Sequence, residues 1–243
     1  MRDAETELRA VRLSSLAKTA PRPLAKLLAD LADKLTGERL DGPRQHRGHT
    51  ELTLRGKWPP RRLTVAPGPS LPIPIEVPIW LRRTSRWLVV FEASRALSDA
   101  AAFMVASVFA GDPAQVAALQ LQPDHWKRLD GWVNSGREKG LLLGGKFYKA
   151  APLGCDVDWI ALRSSAESGA RLVRESFQSA RGIGEMLIRT PAIEAANGSL
   201  TCRIGGGGGV RIYGAEVTDA MVDALLFELE QIWSDVVTGA GSR

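Results

Sequence analysis

Short runs of alternating apolar and polar residues, separated by turns rich in proline and glycine, follow one another from Thr50 onward. The first four runs read TELTLR, RRLTVA, IPIEVPIW and RWLVVFEA. A period of two puts alternate side chains on opposite faces of a strand, and short connections favour antiparallel neighbours. The pattern therefore predicts an antiparallel sheet. The prolines in IPIEVPIW predict that this run lies at a sheet edge or outside the ladder.

The first forty residues show a helical period instead. In RPLAKLLADLADKL, leucines recur between Leu24 and Leu35 at the spacing of one helix face. This spacing predicts an N-terminal helical hairpin with an apolar stripe that needs a partner surface. The polar and basic residues 36–49 that follow are interpreted as a linker.

Capping signals predict further helices. One is expected from Ser98 to Ala110 and another from Pro123 to Lys139. Ser164 opens a capping box for a third. Thr218 is the expected N-cap of a final helix, whose apolar stripe runs from Met221 to Val236.

Strands grouped around a few helices, without regular βαβ alternation, predict an α+β fold. We expect mostly antiparallel sheets, an N-terminal helical hairpin and a C-terminal packing helix. The corresponding domains are a hairpin over residues 1–40, a basic β-rich section with one or two helices over residues 41–150, and an α+β unit over residues 151–243.

Five consecutive glycines, Gly205 to Gly209, raise the question of a phosphate-binding loop. A P-loop requires a lysine directly after its last glycine, and no lysine follows Lys149. The dinucleotide-binding spacing also fails, because its last glycine position falls on Val210 or Arg211. The glycines are interpreted as a hairpin turn between two strands. In the alternative, their amides approach a phosphodiester beside Arg203 and Arg211.

Catalytic and metal-binding patterns are weak. Asp156 and Asp158 share one face if their segment is a strand, which suits a divalent cation and gives a metal-dependent nuclease as one alternative. Such a site also needs a lysine on the next strand, so solvated acids at a strand start are the favoured interpretation. The three histidines and two cysteines form no motif for zinc or for a catalytic triad. We therefore expect no metal and no cofactor, and favour a binding protein over an enzyme.

Positive charge is concentrated in the first part of the chain. Residues 1–149 contain 24 Lys and Arg against 15 Asp and Glu, whereas residues 150–243 contain 8 against 12. Tryptophan is interleaved with this charge in RGKWPPRR, WLRRTSRW and HWKRLDGW, and GGKFYK repeats the theme with Phe147 and Tyr148. Trp87 and Trp159, within apolar runs, are expected in the core. Exposed aromatic rings stack on unpaired bases while Lys and Arg bind phosphates.

This combination predicts a nucleic-acid-binding protein that favours single-stranded DNA or RNA. The candidate binding residues are Arg55, Lys57, Trp58, Arg61, Arg62, Arg82, Arg83, Arg86, Trp126, Lys127, Arg128, Lys146 and Lys149. The main alternative is a non-catalytic subunit of a homo-oligomer or larger complex, with the apolar helices at its interface. The chain shows neither an apolar run long enough to span a bilayer nor an apolar secretory signal, so a cytoplasmic protein without membrane contact is expected.

Overall fold

The structure, a computed structural model, describes residues 7–16, 39–46, 48–58, 73–85, 87–92, 94–109, 116–135, 138–150, 157–164 and 167–233. The strands of this part of the chain are β1 (Glu7–Leu16), β2 (Arg39–Gln45), β3 (His49–Trp58), β4 (Ile73–Arg82), β5 (Trp87–Val90), β6 (Val116–Ala118), β7 (Leu141–Ala150), β8 (Val157–Arg163), β9 (Gly182–Arg189), β10 (Thr201–Gly205) and β11 (Gly209–Gly214). The α-helices are α1 (Arg95–Phe109), α2 (Pro123–Val133), α3 (Glu167–Ser179) and α4 (Asp219–Ile232), and Glu194–Ala196 form a 3₁₀ turn.

The described residues form two compact units. The first contains residues between 11 and 117, and the second contains residues 7–10 together with those from 118 onward. Strand β1 is thus divided between the two units. The strand pairings with a defined register are antiparallel in both.

The sheet of the first unit has the strand order β2-β3-β4-β5-β1. Leu52 and Leu54 on β3 are buried and alternate with more accessible residues, as the period of two requires. Helix α1 packs against β5. Its Leu97, Ala101 and Val105 recur every four residues and contribute to the core of this unit.

The predicted N-terminal helical hairpin is wrong, because the described chain begins with strand β1. Val11 and Leu13 are buried on β1, with the half-buried Arg12 between them. Residues 12–15 of this strand pair with β5, from Arg12 opposite Val90 to Ser15 opposite Trp87. Pairing with a distant strand outweighs local helix propensity, and only the folded chain supplies that partner. The leucine stripe from Leu24 to Leu35 lies outside the described residues.

Two predictions for the first unit also need correction. The interpretation of residues 36–49 as a linker is wrong where the structure describes them, because Arg39–Gln45 is strand β2 and pairs with β3. The run IPIEVPIW lies in β4, which is internal in the strand order rather than at an edge. Its prolines are accommodated because β5 pairs only with Ile79–Leu81, beyond both Pro74 and Pro78.

The sheet of the second unit has the strand order β11-β10-β9-β7-β8. Helix α3 packs against β7 and β8, and α2 packs against β9, β7 and α4. Thr218 caps α4 as predicted, accepting a hydrogen bond from the Met221 amide at 3.3 Å. The indole Nε1 of Trp233 donates to the carbonyl of His125 on α2 at 3.1 Å. These contacts leave the other face of the sheet to carry the candidate site.

Candidate functional site

The two faces of the second sheet differ sharply in character. One face carries the buried side chains of Phe147, Met186, Ile188, Cys202 and Ile204. Phe147 meets Phe177 of α3 edge to face, with ring centroids 6.4 Å apart, so this is the face that the helix covers. Side chains at the alternate positions point the other way. We call that second side of the sheet the open face.

An aromatic and basic cluster lies at the β7–β8 end of the open face. Tyr148 and Trp159 stand opposite each other in the β7–β8 register. The Nζ atom of Lys146 lies 5.3 Å from the centroid of each ring. Trp159 is 61% exposed and Tyr148 is 39% exposed. Two aromatic rings and an ammonium group are thus presented together to solvent.

Gly184 on β9 sets the position of the Tyr148 ring. A Cβ atom at Gly184 would lie 2.8 Å from Cε2 of Tyr148 and 3.1 Å from its hydroxyl oxygen. Real side-chain contacts are longer than this, so only glycine lets the ring lie against the β9 backbone. Gly182, the register partner of Tyr148, adds further space beside the same ring.

Arginines extend the positive charge across the open face. Arg203 and Arg211 face each other in the β10–β11 register, and Thr201 stands opposite both Arg189 and Tyr213. Directly opposed residues share a face of a sheet. On β8, Arg163 lies four residues after Trp159 and therefore points to the same face of the sheet. The cations of the open face are Lys146, Arg163, Arg189, Arg203 and Arg211, all exposed or half-buried.

One carboxylate accompanies these cations on the described open face. Glu185 stands opposite Lys146 in the β7–β9 register, and its Oε1 lies 3.6 Å from Nη1 of Arg203. A single partly exposed carboxylate against five cations leaves the face strongly positive.

Of the predicted binding residues, Lys146 is the one that the structure places in this cluster. Trp126 is 1% exposed and Arg82 is 4% exposed, so neither side chain is accessible to a base or a phosphate. Trp58 is the last residue of β3, and its side chain lies outside the described part of the structure. Arg61, Arg62 and Arg86 also lie outside the described residues.

The other predicted cations are exposed, and most of them already have partners. Arg55 lies 3.4 Å from Asp41 and 3.1 Å from Glu76. Lys127 lies 3.3 Å from Asp124, and Arg128 donates to the Ile232 carbonyl at 3.4 Å. Arg83 donates to Gln45. Lys57, at the end of β3, is exposed.

Lys149 and Asp158 form an ion pair at the β7–β8 end of the sheet. Their Nζ and Oδ1 atoms are 2.5 Å apart. The hydrogen bond and charge of Lys149 hold the pKa of the Asp158 carboxyl below its usual 3.8. Asp158 is therefore an anion at neutral pH, and it is already engaged. Asp156 lies outside the described residues, and within the described ranges no three His, Cys, Asp or Glu side chains form a cluster that suits a metal ion.

The glycine run is a turn between β10 and β11. Gly208 has φ +81° and donates to the Gly205 carbonyl at 3.0 Å. The Gly206 amide donates to the Gly184 carbonyl at 2.8 Å, and the Gly206 carbonyl accepts from the Leu121 amide at 2.9 Å. Two of the amides that a phosphate would need are thus bound within the protein, which supports the interpretation as a hairpin turn.

The sequence prediction missed most of the open face. Trp159 was expected in the core together with Trp87. The expectation for Trp87 is confirmed, because its side chain is buried. The expectation for Trp159 is wrong, because its side chain is exposed. A usable signal was present, because Ile160 and Leu162 alternate with Trp159 and Arg163, which marks the tryptophan position as the polar face of the strand.

Within the described ranges, the helices are too short or too polar to cross a membrane. No protein-family model matches this chain, and no curated protein is significantly similar to it in sequence.

Proposed function

We propose that this protein binds single-stranded nucleic acid across the open face of its second sheet. The observation that carries the proposal is the position of Lys146, whose ammonium group lies 5.3 Å from both the Tyr148 and the Trp159 rings on the exposed side of the sheet. The arrangement offers two rings for bases and a cation for the adjoining phosphate.

The chemistry of the face suits an unpaired strand. Every base has a π-face, so stacking on an exposed ring requires no particular sequence but does require that the base be unstacked from its neighbours. A duplex keeps its bases stacked inside, and its phosphates alone reach a flat surface. Trp159 and Tyr148 would therefore contribute to binding a single strand and little to binding a duplex.

The arginines give the strand a path. Arg189, Arg203 and Arg211 follow the open face from β9 to β11, and Arg163 adds a cation on β8. The planar guanidinium group binds phosphate through two parallel hydrogen bonds and also stacks on bases. A single-stranded nucleic acid that lies across the sheet would meet a positively charged side chain on each of these β-strands. The proposed partner is single-stranded DNA or RNA, and the proposed compartment is the cytoplasm.

A matched pair of variants tests the proposal. Fluorescence anisotropy would measure binding of single-stranded DNA, single-stranded RNA and duplex DNA of about 12 nucleotides, within the site size of a sheet-based binder. Trp159→Ala should weaken single-strand binding by about 1–3 kcal/mol, the usual contribution of one stacked base. Phe227→Ala is the control, because Phe227 is also a large exposed ring, 54% accessible, but belongs to α4.

Two results would overturn the proposal. One is binding weaker than about 10⁻⁴ M at 50 mM salt for every oligonucleotide, since even non-specific binders exceed this affinity. The other is equal loss of affinity in both variants, which would remove the role of the open face. If light scattering shows that the protein self-associates, and anisotropy shows no binding of nucleic acid, the function of an assembly subunit would be favoured instead.

A further inference from the structure

A cavity of about 620 Å³ lies between the end of α2, the helix α3 and the start of β7. It is lined by Asn134, Lys139, Gly140, Leu141, Leu142, Arg171 and Arg174. None of the cations or aromatic residues of the open face lines it. The cavity therefore offers a separate site within the same unit, with a volume in the range of small-molecule pockets.

Among the described residues, the charged side chains that line this cavity are all positive. Arg174 donates from Nη2 to Oδ1 of Asn134 at 2.5 Å, so its contact is with a neutral acceptor. The amide nitrogen of Asn134 donates to the Asp130 carbonyl at 2.6 Å and to its Oδ1 at 3.0 Å. These bonds turn the amide oxygen toward Arg174 and hold the guanidinium group in place.

The positive charge of the cavity is only partly neutralised. Arg171 lies 2.8 Å from Glu175, one helical turn further along α3. Among the described residues, no carboxylate forms an ion pair with Arg174 or Lys139. The three cations are offset by Glu175 and by Asp130, whose carboxylate binds Asn134, so these described residues leave an excess of one positive charge. A phosphomonoester carries about two negative charges at neutral pH and offers three acceptor oxygens to such a site.

We propose that this cavity binds the phosphomonoester group of a small molecule of about the size of a mononucleotide. Arg174 and Lys139 would bind the phosphate oxygens through charge-assisted hydrogen bonds, which are the strongest that side chains make. The half-buried Leu141 supplies an apolar contact for the organic part of the ligand. The proposal is independent of nucleic-acid binding by the open face, because the two sites share no side chain.

Isothermal titration calorimetry with AMP, adenosine and inorganic phosphate tests the cavity. AMP should bind at least about tenfold more tightly than adenosine, because one charge-assisted hydrogen bond contributes a factor of that order. Arg174→Gln and Lys139→Gln should each weaken AMP binding by about tenfold. Lys139 is exposed, so its variant keeps the test valid if Arg174→Gln unfolds the protein. Arg95→Gln on α1 is the control, because this exposed arginine belongs to neither site, and it should leave AMP affinity unchanged.

A further pair of probes separates the two sources of a phosphomonoester. A tetranucleotide with a 5′-phosphate and the same strand with a 5′-hydroxyl would be compared in the wild type and in Lys139→Gln. A preference for the 5′-phosphate that Lys139→Gln abolishes identifies the ligand as a strand end, and AMP binding without that preference identifies a free small molecule. The proposal is overturned if AMP binds no more tightly than adenosine, or if both cavity variants bind AMP like the wild type.

Discussion

The Lys149–Asp158 pair shows that a basic residue in the sequence is not always an available positive charge. The sequence predicts Lys149 as a phosphate ligand, yet its ammonium group lies 2.5 Å from a carboxylate. Arg55 has two carboxylate neighbours. Binding a phosphate at either position requires breaking an ion pair. If the open face binds nucleic acid as proposed, Lys149 and Arg55 should therefore contribute less to affinity than its Arg189 and Arg211.

A titration of Asp158 tests this contact directly. Its pKa lies below the usual 3.8, since the hydrogen bond and charge of Lys149 favour the anion. The stabilisation from the pair is therefore fully present above pH 3.8 and is lost as the pH falls through the lowered pKa. Lys149→Gln should raise the Asp158 pKa toward 3.8, measured by NMR on the side-chain carboxyl. Lys127→Gln is the control, because Lys127 pairs with Asp124 instead.

An Asp158 carboxyl that titrates at or above 3.8 in the wild type would contradict the contact. So would a pKa that stays lowered in Lys149→Gln, because a group other than Lys149 would then have to cause the shift.

Strand β7 depends on glycine where it passes closest to its neighbour. A Cβ atom at Gly144 would lie 2.3 Å from the Leu162 carbonyl of β8, a backbone atom that cannot move aside alone. Gly144→Ala should therefore destabilise the protein by about 1–3 kcal/mol, the usual effect of overpacking. Gly131 in α2 has no atom within 4 Å of its Cβ position. Gly131→Ala should stabilise by up to about 1 kcal/mol, because alanine favours a helix.

Urea unfolding of both variants measures this difference. Equal stability of Gly144→Ala and the wild type would show that β7 and β8 are further apart than described. A destabilised Gly131→Ala would show that other atoms pack against α2 at this position.

Local signals in the sequence predicted the elements that local chemistry determines. Thr218 as a helix cap and the alternation of β10 and β11 are visible within a few residues. Strand β1 was not predicted because its partner β5 is distant in the sequence. Strand β2 was not predicted because the residues that join it to its partner β3 have the composition of a turn. Strand β7 was missed because Gly144 and Gly145 weaken its strand pattern, although close packing is what requires them.

The candidate site was predictable only in its composition. The sequence pattern predicts a site of tryptophan beside basic residues, but it does not separate buried from exposed tryptophans. Trp87 and Trp159 each have one charged and one apolar neighbour, and Trp126 lies between His125 and Lys127. Two of them are in the core and the third is exposed. The difference arises from which face of an element the helices cover, and that depends on packing between elements that are not adjacent in sequence.

The distribution of charge over the whole molecule leads to a prediction about the salt dependence of binding. The excess of cations in residues 1–149 predicts a binding surface in that part of the chain, whereas four of the five open-face cations, Arg163 to Arg211, come from the acidic remainder. Local arrangement, and not net charge, should decide the salt dependence of binding. Two double variants that remove equal charge test this.

Arg189→Gln with Arg211→Gln should lower the slope of log affinity against log salt by about 1.4, the contribution of two phosphates on a single strand. Arg55→Gln with Lys57→Gln removes the same charge from β3 and should leave the slope unchanged. Anisotropy titrations between 50 and 200 mM salt measure both. Equal slopes for the two double variants would indicate that the nucleic acid does not bind at the open face.

The hydrogen bonds of Gly206 also constrain when the second unit can finish folding. They join the β10–β11 turn to Gly184 on β9 and to Leu121 before α2, segments that are far apart along the chain. Contacts between such remote residues form late, since the entropy of closing the intervening loops is lost before any contact is gained. On the ribosome, Leu121 and Gly184 emerge well before their shared partner. The unit therefore stays incomplete, with the edge of β9 open, until the glycine turn has been synthesised.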